Sequence, residues 1–170
     1  DLYSLAESLT VPLIQEVRRE FPHIVVHVRE NFGGLISEGI ATGQIDMGVL
    51  YAPVSLRAVQ VEPVYTDELC LIANVSRKLS DPVAFADLTE VPMLVPTRQH
   101  SMRLAMDAAF QRNDLFPRIA AEVESVPSLV SAVERNLGCA VLPRSSLPDL
   151  SAHPKLATHA FADPVQIRLT

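Results

Sequence analysis

The sequence predicts an α/β fold of two lobes, and three observations predict it. Two separated stretches carry the same order of strand, helix and strand: Val25–Glu30, Asn31–Thr42 and Gly43–Leu50, then Ile119–Ser125, Val126–Leu137 and Gly138–Pro143. In each, a short apolar run breaks, a helical pattern stops near glycine, and a second apolar run follows, the pattern of a crossover between parallel strands. The 170 residues are enough to bury a substantial core and to divide it between two small lobes. Ligands of open α/β sheets sit beyond the carboxyl ends of strands, where helix amino ends also point. Two facing lobes would therefore form a cleft ringed by backbone N–H groups.

The elements follow in order. From Ser4 to Arg19, Leu5, Leu9, Leu13, Ile14 and Val17 recur at helical spacing, with Pro12 inside the pattern and Phe21-Pro22 ending it. In the strand from Val25, Val26 and Val28 face one way while His27 and Arg29 face the other. That is too polar for a strand covered on both sides, so an edge or partner-facing place is expected. Val59–Tyr65 and Glu68–Asn74 read as two apolar segments joined at Thr66-Asp67, the expected first crossing between lobes. Ala84–Leu88 reads as a short helical turn and Met93–Val95 as a strand. Ser101–Asn113 reads as a helix whose apolar contacts come from Leu104, Ala105, Ala108 and Phe110, with Ser101 as its amino cap. Lys155–His159 and the strand from Val165 complete the pattern, the last returning to the first lobe. The expected division is 1–66 with 164–170 for the first lobe and 67–163 for the second, joined by a two-strand hinge. Asp1 leads almost at once into a helix and Thr170 ends a strand, so the chain is expected to be an excerpt of a longer polypeptide.

Composition excludes several functions. Hydrophobic residues make up 48% and charged ones 20%, the balance of a folded domain. Fourteen Lys and Arg against twenty Asp and Glu leave a net charge of −6, with the basic residues scattered, so no footprint for a phosphate backbone is present. The longest apolar run, Leu69–Ala73, is far short of the roughly 20 residues of a spanning helix, and no membrane role is expected. Cys70 and Cys139 each lie inside an apolar strand pattern, which suits buried thiols of a cytoplasmic protein better than a disulfide or a redox sensor. His23 and His27 on an extended strand stand about 13 Å apart and do not share a metal. Neither a nucleophile elbow, a phosphate-binding loop nor a dinucleotide fingerprint occurs; no catalytic residue, metal site or cofactor is expected.

Four segments would converge on the cleft. They are the entry to the first helix at Ser4, the Asn31–Gly34 turn with Gly33 and Gly34, the loop Thr97, Arg98, Gln99, His100 and Ser101, and the turn at Ser125. Each precedes a helix and offers backbone N–H groups and a positive dipole end to an anion. Arg98 adds a guanidinium suited to a carboxylate. Each feature also has a plainer role: a serine before a helix is first a cap, Arg98 and His100 also suit a solvated loop, and a glycine pair is also a flexible turn. A small polar or anionic ligand is the expectation.

Pro12–Pro22, Glu30–Ile36, Gly43–Leu50, Glu62–Ile72, and Glu124-Ser125 followed by Asn136–Pro143 resemble the effector-binding domain of LysR-type transcriptional regulators, over nearly the whole chain. Leu94–Arg103 and Ile119–Pro143 are most similar to the nitrogen assimilation control branch. The resemblance implies two Rossmann-like lobes of the periplasmic-binding-protein type II kind, truncated at both ends here, and a winged helix-turn-helix that this sequence lacks. It implies effector contact at Ser4, Gly33-Gly34, Thr97–Ser101 and Ser125, with the Gly33 contact through backbone only. It implies further a homodimer or homotetramer in which the helix Ser4–Arg19 meets the partner's Pro127–Arg135, and promoter DNA bound only through the absent domain. Two alternatives remain open: an oligomerisation module with a vestigial cleft, and a free-standing solute-binding protein.

Overall fold

The structure is a computed structural model that describes residues 3–31, 33–52, 56–57, 59–98 and 100–170, with side chains from residue 9 onward. Its elements are α1 (Tyr3–Glu20), α2 (Gly33–Ala41), β1 (Tyr65–Asn74), β2 (Met93–Val95), α3 (Ser101–Arg112), β3 (Ile119–Glu122), α4 (Val126–Glu134), β4 (Cys139–Pro143), β5 (Leu156–Ala160) and β6 (Gln166–Leu169). Short 3-10 turns lie at Val75–Arg77, Phe85–Leu88 and Arg144–Ser146.

The strands lie in the order β3-β2-β4-β1-β5, and β6 joins β1 off this path. The first part of β1 pairs antiparallel with β6, Tyr65 opposite Leu169 and Glu68 opposite Gln166. From Leu69 onward β1 runs antiparallel to β4, and from Cys70 to β5 as well, with Leu71 opposite both Val141 and His159. β2 is parallel to β3 and to β4, so β3, α4 and β4 form a crossover unit that steps over β2. The second sequence repeat is that unit. β2, β4 and residues 69–73 of β1 are buried at every position, which is why they read as unbroken apolar runs rather than alternating ones.

One hydrophobic cluster fills the space around these strands, drawn from Leu69 to Ile167. Phe85 stacks on Phe161 at 4.6 Å between ring centroids and meets Phe110 edge-on at 5.0 Å, tying the 3-10 turn, the segment after β5 and α3 together. Of the described side chains before Leu69, only Ile36 and Leu50 are buried apolar ones. The core thus sits with the larger set of strands.

Several elements differ from expectation, each for a physical reason. Residues 24–31 and 44–49 take no strand ladder, and Ile24, Val25, Val28 and Met47 stay exposed. Apolar strand patterns stabilise a strand only where a hydrogen-bonding neighbour and a covering layer exist. Residues 59–64 are likewise not strand, and β1 is continuous through Thr66-Asp67, because changing partners from β6 to β4 and β5 needs no break in the strand itself. Helix α3 buries Met102, Met106, Ala109 and Phe110 with Ala105 packed against the core, so Ala105 and Phe110 make the expected contacts while Leu104 and Ala108 face outward. α4 ends at Glu134 rather than Leu137, with Asn136 in the left-handed region at φ 60° closing the turn.

Gly138 allows β4 to come against the chain entering β2. A Cβ there would stand 2.6 Å from the Pro92 carbonyl oxygen and 2.9 Å from Leu94 Cγ, while the next N–H, of Cys139, donates to that same carbonyl at 2.8 Å. Gly138→Ala is expected to cost about 1–3 kcal/mol, read as a lowered thermal midpoint. Gly34→Ala, in α2 with open space around the added carbon, is the control: helix propensity favours alanine there by up to about 1 kcal/mol, so its midpoint should equal or exceed the parent's.

Candidate functional site

Helices α3 and α4 begin near one another because the strands before them are neighbours. β2 and β3 lie side by side and parallel, and the Val123 N–H donates to the Val95 carbonyl at 2.8 Å, carrying the pairing one step past the end of β3. Both chains then leave the sheet on the same side, into the loop before α3 and the turn before α4. Thr97 and Glu124 meet across the gap, the threonine hydroxyl donating to the glutamate carboxylate.

At α4, Ser125 is the amino cap with an extended backbone. Its hydroxyl accepts from the Ser128 N–H at 3.4 Å and its carbonyl from the Leu129 N–H at 2.9 Å. At α3 the expectation of a Ser101 cap is overturned. The His100 N–H donates to the Thr97 carbonyl at 3.1 Å, closing a tight turn that leaves His100 extended and makes it the cap residue, while Ser101 already has helical backbone. The His100 side chain makes no capping bond to the helix. Burial pushes its imidazole below the ordinary value of 6.5, with the Glu124 carboxylate pulling the other way.

The loop is held by Arg103, a residue the sequence reading did not nominate. It is 1% exposed. Its Nη1 donates to the Pro96 carbonyl at 2.9 Å and to the Glu122 carboxylate at 3.0 Å, and its Nε to the Asp107 carboxylate at 2.9 and 3.0 Å. One guanidinium thereby fastens the start of the loop, the end of β3 and the first turns of α3 together. The signal was available: Arg103 falls on the same helical stripe as Met106 and Phe110, and a charge inside an apolar stripe needs partners.

Of the nominated residues, the structure brings together Thr97, His100, Ser101 and Ser125. Arg98 is exposed beside them and makes no hydrogen bond or ion pair with another described residue, while Gln99 lies outside the described residues. Gly33 and Gly34 open α2, where Gly33 would place a Cβ 3.5 Å from Leu50 and Gly34 faces open space. Ser4 is in the first turn of α1, and its side chain is outside the described part. Among the described residues no hydrogen bond joins the Gly33-Gly34 turn to the Thr97 loop. Two hollows occur elsewhere, one of about 270 Å³ beside α2 that includes Arg29, Asn31, Glu38 and Gln44, and one of about 440 Å³ on α4 lined by Pro127, Ser128, Ser131, Ala132, Arg135 and Leu137. No cluster of His, Cys, Asp or Glu among the described residues could hold a metal ion, and no described helix is long and apolar enough to cross a membrane. Both cysteines are buried and free, and burial pushes the Cys139 thiol up to about 11.

Comparison with known proteins supplies the family. The family model described as LysR substrate binding domain matches residues 2–170. The chain is 31% identical over 145 residues to the nitrogen assimilation regulatory protein nac of Escherichia coli (strain K12), covering 85% of this chain and 47% of the relative. It is 30% identical over 148 residues to the nac protein of Klebsiella aerogenes, with the same coverage. It therefore spans about half the length of the curated relatives it matches. Among solved structures, the regulatory domain of CcmR from Synechocystis PCC6803 in complex with 2-PG superposes with a TM-score of 0.85 at 19% identity, covering 98% of this chain and 81% of that one. The effector binding domain of QuiR in complex with shikimate gives 0.83 at 17% identity, covering 98% and 82%. These likenesses place the fold with the regulatory domains of LysR-type proteins, the mixed α/β architecture of periplasmic-binding-protein type II.

Two outcomes follow from the loop geometry. Arg103→Met should leave Pro96, Glu122 and Asp107 without their donor and lower stability by about 1–3 kcal/mol in urea unfolding, with amide signals of residues 97–101 and 123–125 shifting more than those of β5. The second concerns pH. His100 has a lowered folded-state pKa, so below pH 6.5 the unfolded chain binds more protons at this residue than the folded one. The stability it contributes is present above that pH and is lost as pH falls toward the folded value. Urea unfolding between about pH 7 and about pH 5 should show a steeper loss for the parent than for His100→Gln.

Proposed function

This chain belongs to the LysR substrate binding domain family, and from that premise we propose that it is the effector-sensing and oligomerisation domain of a bacterial LysR-type transcriptional regulator. The effector is a small polar or anionic molecule bound between two lobes, residues 1–66 with 164–170 forming the first and 67–163 the second. The observation that carries this reading is the pair of helix amino ends, α3 and α4, starting side by side from the carboxyl ends of β2 and β3. The dipoles of both helices and the first-turn N–H groups of α3 favour negative charge, and the exposed guanidinium of Arg98 adds a bidentate partner for a carboxylate. Ser4, Gly33, Gly34, Thr97, Gln99, His100, Ser101 and Ser125 supply the remaining polar contacts from the surrounding helix starts. Support also comes from the ligands named with the structural neighbours, 2-PG and shikimate, both small and polar.

Assembly is assigned to two surfaces. α1 leaves Leu9, Val11 and Leu13 exposed, and α4 carries a hollow bordered by Pro127, Ala132 and Leu137, so the apolar face of one can seat on the other of a second copy. DNA contact belongs to a winged helix-turn-helix outside this chain, in keeping with its acidic charge and with relatives named as transcriptional regulators. A protein of this kind works in the cytoplasm and carries out no catalysis. One observation favours the second reading, an oligomerisation module with a disused cleft: Glu124 already accepts from Thr97, so a carboxylate of the chain itself stands where an anion would approach.

Calorimetric titration with a panel of small carboxylates, amino acids and nucleotides separates the two. A saturable heat for at least one class is expected, weakened about 3–10-fold by Arg98→Ala or Ser125→Ala with assembly unchanged. No saturable heat across the panel would leave only the oligomerisation role.

A further inference from the structure

We infer that Asp67 is a latch at the joint between the two proposed lobes, its buried carboxylate and the Ser145 and Tyr51 hydroxyls together fixing the angle at which the lobes meet. The inference rests on the two-lobed reading above and adds the device that sets the resting angle.

Asp67 is 2% exposed, and it stands on β1 two residues before that strand leaves β6 for the larger sheet. One of its carboxylate oxygens accepts from the Glu68 N–H at 2.8 Å. The other accepts from the Ser145 hydroxyl at 2.5 Å and the Ser145 N–H at 3.3 Å. Ser145 belongs to the turn Arg144–Ser146 that follows β4, and α1 packs against this turn. On the outer side the Arg144 guanidinium lies 3.2 Å from the Glu68 carboxylate. From the other direction comes Tyr51, bridged to Leu169 of β6, with its hydroxyl closed off from solvent and lying against Ser145 and Ser146. Burial first, and the Asp67 charge next, raise the Tyr51 pKa, so the phenol keeps its proton.

The parts of this cluster come from both proposed lobes. Tyr51 and β6 belong to the first; β4 and its turn belong to the second; Asp67 sits on the strand that they share. A buried carboxylate loses heavily if its donors withdraw and no water replaces them. An apolar side chain at position 67 could hold the strands as firmly, but without direction. Hydrogen bonds to a fixed carboxylate specify where the turn after β4 must lie, and α1 rests on that turn. Rotation of one lobe against the other must proceed about this point or break it.

The test uses spin-label distance measurements on the full chain, with labels on Glu38→Cys and Arg112→Cys across the joint and on Arg112→Cys and Ser151→Cys within the second lobe. Cys70 and Cys139 are buried and stay unlabelled under native conditions. Asp67→Asn, Ser145→Ala and Tyr51→Phe are each introduced, the last two being small enough changes to keep the chain folded. The expected result is a displaced or broadened distance across the joint with the within-lobe distance unchanged. An unaltered distance across the joint in all three variants would overturn the latch, and so would equal broadening of both distances, the mark of general loosening. No effector is present in this measurement, so its failure leaves the ligand titration above to stand by itself, and an empty titration leaves the joint result intact.

Discussion

A single strand shared between two sets of partners is the constraint on which the rest of this molecule depends. β1 is ten residues long. Its opening residues hydrogen-bond to β6 and thereby to the segment from Leu50 to Ala52, while its remaining residues are clamped between β4 and β5. Strand pairing has a period of two, so a slip of one residue in either half would turn every side chain of that half to the opposite face. Both registers must therefore hold at once. Leu69, Leu71 and Ile72, none of them exposed, hold the second through burial; Asp67, a polar residue with directed bonds, stands at the change of partner.

What β1 does for the two halves, Arg103 does for the site. Two loops leaving adjacent parallel strands need not stay together, since loop residues bury little apolar surface and each carries ordering entropy. A guanidinium with acceptors in three segments supplies the missing order. Its carboxylate partners are about one third and one half exposed, so screening discounts the ion pairs, and most of the tie lies in the geometry of the four hydrogen bonds. The electrostatics at the mouth are mixed rather than uniformly positive. Two helix amino ends and Arg98 favour negative charge, whereas Glu124 opposes it, so under the proposed function a ligand with both a carboxylate and hydrogen-bond donors matches this surface better than a bare dianion.

The fold was legible in the sequence where burial is complete on both faces. β2, β4 and the second half of β1 announce themselves as apolar runs bounded by turn residues, whereas β3, exposed throughout, is legible only through the helical pattern of α4 and the glycine that follow it. Legibility failed where pattern and environment part company. Val25, Val28 and Met47 have strand chemistry but no ladder to join, and on α3 the buried face runs through Met102, Arg103 and Met106, which turns Leu104 and Ala108 outward. At the site, Ser125 was readable as a cap because serine before Val-Pro at a helix start has few other uses. Ser101 was misread for the opposite reason: the turn closed by His100 onto Thr97 is a backbone event with no sequence signature.

The free energy that a ligand can supply limits which part of this fold it can move. Of the described side chains, the buried cluster runs from Leu69 to Ile167, and those before Leu69 add only Ile36 and Leu50 as buried apolar ones. Strands buried on both faces open only with the core itself, whereas elements outside it open at lower free energy. A ligand alters such an equilibrium only to the extent that it binds two arrangements unequally, typically by about 1–3 kcal/mol. A difference of that size is too small to rearrange the strands around β4, but it is comparable to a few hydrogen bonds at a joint. In the proposed sensor, the strands around β4 therefore serve as the platform that holds Thr97, His100 and Ser125 in place, and the response is carried by movement about β1 at the joint.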